Sequence, residues 1–166
     1  MAARELIESL RFLLQLYRQL IDLGMQKKEQ VIANRLNDLT DTLAKESRVL
    51  KQLTEAEEAR VRAVLAFQRS LGLKEDPEAK LHDLANLILN RTEKQEALQL
   101  LEEIGQAAAE LKELNERNQA LVRQALEMVG FTLDLLAGPP VEEPVYQAPT
   151  RKPAEPKRIS RFDAKA

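Results

Sequence analysis

The stretch NERNQALVRQALEMVGFTLDLLAG, residues 115–138, decides how the chain is read. It sets two asparagines, Asn115 and Asn118, on the face a helix is using for apolar side chains, and then turns almost wholly apolar. Upstream and through it, Ile104, Ala107, Leu111, Leu114, Asn118, Leu121, Ala125, Met128, Thr132 and Leu135 keep a strict heptad spacing, enough for one coiled-coil seam. Beyond Asn118 a second row, Val122, Leu126, Val129, Leu133 and Leu136, repeats one residue out of phase. It therefore lies about 100° around the helix from the first. A two-helix hairpin uses one seam, so the surplus apolar width must meet either another helix of the chain or another protein.

Working outward, the rest of the body also reads as helix. A first helix is expected over residues 3–33, where Leu6, Leu10, Leu13, Tyr17 and Leu20 recur at steps of four and three beside Ile7, Leu14 and Ile21. Gly24 falls inside it and costs about 1 kcal/mol relative to Ala, which argues for a bend. A second helix, 35–71, carries Leu36, Leu39, Leu43, Leu50, Leu53, Val61, Val64 and Leu71, with Glu46 and Glu57 where the seam wants apolar side chains. Gly72 offers a C-cap. Asp76-Pro77 reads as the start of a short helix marked by Leu81, Leu84, Ala85 and Ile88, and Thr92 to Gln95 as the capping box of the last helix, 93–138.

These elements predict an all-α fold: an elongated antiparallel coiled-coil hairpin of the second and fourth helices, with the N-terminal helix packed along it and one short connecting helix. A parallel homodimeric coiled coil is the alternative. Two regions are expected, a helical domain at 1–138 and a tail at 139–166. The tail holds six of the seven prolines and 6 Lys/Arg against 4 Asp/Glu, whereas the body holds 19 against 23. Proline lacks the amide donor a helix needs, so the tail is expected to be extended and flexible.

Composition excludes several classes of function. At 166 residues, 44% apolar, 31% charged and net charge −2, nothing electrostatic calls for nucleic acid or an anionic membrane. The absence of Cys removes disulfides and thiolate metal sites and suits the cytoplasm. The run LRFLLQLYRQLIDLG is broken by Arg11, Gln15, Arg18 and Asp22, too polar for a signal sequence or stable membrane insertion. His82 beside Asp83 could be drawn as base and orienter, but a solvated histidine is the plainer reading. No serine sits in a nucleophile-elbow context, and the consecutive carboxylates read as solvated helix faces. No catalytic residue, cofactor or metal site is expected.

The asparagines admit two readings. Polar residues in a seam discourage competing registers at a cost in stability, so Asn115 and Asn118 would set how the helices align. They also mark a boundary, upstream of which the helix serves its own bundle and downstream of which it offers a groove to a partner helix.

The residue pattern, above all the Asn-x-x-Asn stretch ending Leu-Leu-x-Gly, then a proline-rich segment with Tyr146 and a terminal RISRFDAKA, resembles the FlgN family of flagellar type III export chaperones. The resemblance implies a cytoplasmic, non-enzymatic chaperone. Its clients would be the two hook–filament junction proteins (FlgK- and FlgL-type), bound by their C-terminal helical segments and delivered to an export-gate component. The client-binding residues it implies are Asn118, Leu121, Val122, Leu126, Val129, Leu133 and Leu136, and the gate-docking residue is Tyr146. The apolar Ile159 and Phe162 near the end suggest that the tail folds back when no client is present. A structural coiled-coil adaptor, homodimeric through the surplus row, is the competing class, and homodimerisation stays open under either.

Overall fold

The computed structural model describes residues 2–138. Among them, all regular secondary structure is helical: α1 (Ala2–Ile32), α2 (Leu36–Ser70), α3 (Leu81–Asn86) and α4 (Arg91–Ala137). Of the described residues, 2–124 form one compact unit and 125–138 belong to a second. The expected tail, with Tyr146, Ile159 and Phe162, lies outside the described residues.

The helix ends follow from local chemistry. Between α1 and α2 the chain reverses in three residues, and Asn34 takes the left-handed conformation at φ 55°. That conformation lets the Asn34 N–H donate to Val31 O and the Arg35 N–H to Gln30 O, a Schellman pair that closes α1. Gly72, at φ 73°, repeats the motif after α2, with its N–H donating to Arg69 O and that of Leu73 to Gln68 O. Gly72 is thus the C-cap residue the sequence suggested.

Two expected starts move. Asp76 does not open α3. Its Oδ1 accepts from the Glu78 N–H in a tight turn and α3 begins at Leu81. Helix α4 begins at Arg91 rather than at 93, because Asn90 Oδ1 accepts the Glu93 N–H at 3.0 Å. Asparagine is the better cap, and Asn90 with Glu93 supplies the same i, i+3 pattern two residues before Thr92.

Helix α1 is the hub of the first unit. Leu6, Ile7, Leu10, Leu13, Leu14, Leu16, Leu20 and Leu23 are all buried, more large apolar side chains than any other helix contributes. One cluster joins Leu6, Ile7, Leu10 and Leu14 to Val64 and Phe67 of α2, Leu84 and Ala85 of α3, and Ala97, Leu100 and Leu101 of α4. A second joins Leu13 and Leu16 to Ala56, with Val49, Leu53 and Ile104 packed against it. Burying one such leucine stabilises by about 1.5–3 kcal/mol, and truncating Leu10 to Ala would cost about 2–5 kcal/mol.

The closest helix pairing therefore differs from the expected one. The sequence reading paired α2 with α4 and laid α1 alongside, whereas the closest backbone packing is between α1 and α2. The wide apolar face of α1 meets both neighbours, while α2 buries mainly small side chains, Ala56 and Ala63 among them, in a narrow stripe. Three ion pairs, Arg4–Glu93, Arg11–Glu96 and Arg18–Glu103, set α1 and this part of α4 parallel. Their arginines recur every seven residues. Each such exposed pair contributes little energy, but together they discriminate register.

Gly24 does not break α1, which runs through it to Ile32. It is buried because α4 crosses there. A Cβ added at Gly24 would stand 2.6 Å from Leu114 Cδ2, so any other residue here requires Leu114 to shift.

Candidate functional site

The two asparagines of the opening stretch sit where α4 passes α1. Asn118 is only 5% exposed, and its Nδ2 donates to Gly24 O at 2.9 Å. This places Asn118 in the bundle, tied to α1. The Oδ1 atoms of Asn115 and Asn118 are both buried without a hydrogen-bond partner.

Beside them opens a groove of about 620 Å³. One wall is α2, through Leu39, Leu43 and Leu50; the other is α4, through Leu111, Asn115, Asn118 and Val122. Lys27 and Glu46 also line it. Lys27 Nζ lies 3.0 Å from Glu46 Oε1 and 2.8 Å from Oε2, and the side chains are only 16% and 17% exposed. Glu46, a flaw in the seam as sequence, is therefore the counter-ion of a lysine on α1. A pair so far out of water is held by both Coulomb attraction and hydrogen bonding, and breaking one side of it strands the other.

Glu57, the other gap in the α2 seam, sits at a solvated edge. It accepts from Arg60 Nε at 2.8 Å. Its charge lies near the partly buried Tyr17 hydroxyl, whose pKa is raised first by desolvation and then by Glu57, with Arg60 opposing.

Of the remaining predicted binding residues, Leu121 is half-buried and Val122 exposed, both in the first unit. Leu126, Val129, Leu133 and Leu136 belong to the second unit, and all are exposed, from 55% at Val129 to 80% at Leu136. Met128, Phe131 and Leu135, on the other row, are exposed as well. Seven large apolar side chains within about three turns and open to solvent are not what a finished core looks like.

A family model described as FlgN protein matches residues 1–153. The chain belongs to the FlgN family. The family is one of flagellar export chaperones, as the Asn-x-x-Asn stretch and the order of helices suggested. The FlgN-family chain is also 31% identical over 170 residues to YvyG of Bacillus subtilis (strain 168), described as uncharacterized, with the whole of both chains covered. No solved structure gives a significant match.

His82 is exposed on α3. Among the described residues no group of three or more His, Cys, Asp or Glu could hold a metal ion, and no helix is long and apolar enough to cross a membrane. Sequence reasoning missed the α2 wall as a site and the arginine ladder of α1. The first was signalled by an acidic residue in a leucine seam, the second by Arg4, Arg11 and Arg18 at seven-residue spacing.

Proposed function

We propose that the chain is a cytoplasmic export chaperone that binds the C-terminal helical segments of hook–filament junction proteins of the FlgK and FlgL type, keeps them from assembling early, and delivers them to the flagellar type III export gate. The observation that carries this reading is the exposure of Leu126, Val129, Leu133 and Leu136 in the last part of α4. A client helix that covers them removes apolar surface of both partners from water, at roughly 25 cal/mol per Å² before association costs are subtracted. Leu121 and Val122 are proposed as further client-binding residues. Asn118 contributes by fixing α4 against α1. Tyr146 is proposed to dock at the export gate, and Ile159 and Phe162 to compete with client for the apolar surface.

The test is size-exclusion chromatography with light scattering on the chain mixed with the C-terminal helical segments of FlgK- and FlgL-type proteins from the same bacterium. A stoichiometric complex is expected. No complex, together with a stable homodimer of the chain alone, would instead favour a structural coiled-coil scaffold.

A further inference from the structure

The groove beside Asn115 has walls of a particular kind. On α2, Leu39, Leu43, Glu46 and Leu50 follow steps of four, three and four; on α4, Leu111, Asn115, Asn118 and Val122 follow the same steps. Each row is a heptad seam, and the space between them is open. The walls run in opposite directions, since Phe67 clusters with Leu101 while Leu43 shares the groove with Val122. Two antiparallel seams facing one gap are the complement of a third helix whose side chains enter the holes of both.

The middle of each row is polar. The charge of Glu46 is already taken by Lys27. The Oδ1 atoms of Asn115 and Asn118 have no partner. The last torsion of an asparagine is soft, so the half-buried Asn115 can turn its oxygen into the gap at little cost. A wholly apolar occupant would leave those acceptors without a partner, and a carboxylate would add repulsion.

We propose that this groove seats a partner helix whose seam carries apolar side chains at heptad spacing and, opposite Asn115 and Asn118, one neutral hydrogen-bond donor such as a glutamine or serine. The proposal rests on the reading of the chain as a helix-binding chaperone, and it adds a groove within the first unit to the residues that reading uses.

The experiment titrates the full chain with two helical peptides of three heptads, identical except that the central seam position is Gln in one and Glu in the other. The Gln peptide is expected to bind at least about tenfold more tightly. Leu43→Asp, at an exposed position on the α2 wall, should weaken the Gln peptide by about tenfold with an unchanged thermal melt. Asn115→Leu should weaken the Gln peptide and narrow its advantage over the Glu peptide. Equal binding of the two peptides, no binding of either, or indifference to Leu43→Asp overturns the proposal. So does a concentration-dependent dimer that Leu43→Asp abolishes, which would assign the groove to a second copy. Junction-protein segments separate this idea from the chaperone reading. If they bind, ignore Leu43→Asp and are lost in Leu126→Asp, the groove proposal falls alone. If they never bind while the Gln peptide behaves as expected, the groove stands and the choice of client falls.

Discussion

Asn118 Nδ2 donates to the carbonyl oxygen of Gly24 at 2.9 Å, and Leu114, one turn before it on α4, occupies the space a side chain at position 24 would need. The pair ties α4 to α1 in one register: the glycine permits the approach and the amide rewards it. Gly24→Ala should therefore destabilise the bundle. Overpacking against Leu114 costs about 1–3 kcal/mol, offset by up to about 1 kcal/mol of helix propensity. The same substitution at Gly105, where a Cβ meets open space, should stabilise by up to about 1 kcal/mol. Urea unfolding of both variants checks the opposite signs.

Gln68 is buried at the end of α2 and uses both ends of its amide on one residue. Its Nε2 donates to Asp76 O at 3.0 Å, and its Oε1 accepts the Asp76 N–H at 2.8 Å. The loop after Gly72 is thereby pinned to the helix it has just left. Gln68→Leu should cost about 1–3 kcal/mol and increase protease cutting between residues 72 and 80, since two backbone groups lose their partner. Unchanged protease sensitivity would mean the loop is held by other contacts.

Lys27 and Glu46 offer a double-mutant cycle. Lys27→Met alone leaves Glu46 largely out of water with no counter-ion, at a cost of about 1–3 kcal/mol once its partial exposure is allowed for. Lys27→Met combined with Glu46→Leu should recover most of that loss. Additive losses in urea denaturation would show that the two side chains act independently.

Tyr17 makes stability depend on pH at the alkaline end. Burial, then the nearby Glu57 carboxylate, raises its pKa above 10.0, so the folded state holds the phenolic proton more tightly than the unfolded chain. That contribution is complete below pH 10.0 and is lost as pH rises through the folded-state value. Wild type should lose more stability than Tyr17→Phe across this range. Parallel melting curves of the two proteins would sink the idea.

Leu126→Asp and Val129→Asp should each weaken junction-protein binding by about tenfold or more while leaving helical circular dichroism nearly unchanged, because both side chains are more than half exposed, at 66% and 55%. If either variant instead unfolds the chain, these residues are core and the client surface lies elsewhere.

Much of the molecule is legible from spacing alone. Steps of three and four place α1, α2 and α4 to within two residues at each end, and Gly72 ends α2 where a left-handed residue is needed. The apolar surplus after Asn118 is visible as a second row and is exposed in the structure. Helix starts were harder to read, since Asp76, Thr92 and Asn90 are all good caps and only hydrogen-bond geometry chooses among them.

By itself, the sequence determined that the chain is helical, where its long helices run, and that one end of α4 carries more apolar surface than one seam can use. These properties depend on neighbours three, four and seven residues apart. Only the tertiary structure decided that α1 is the hub, that Gly24 is a contact point rather than a bend, that Glu46 belongs to Lys27, and that Asn118 is tied to α1 while both asparagines border a groove. Each of those depends on residues 19 to 94 positions apart in the chain, whose meeting is set by how the faces of three helices pack and by no local pattern.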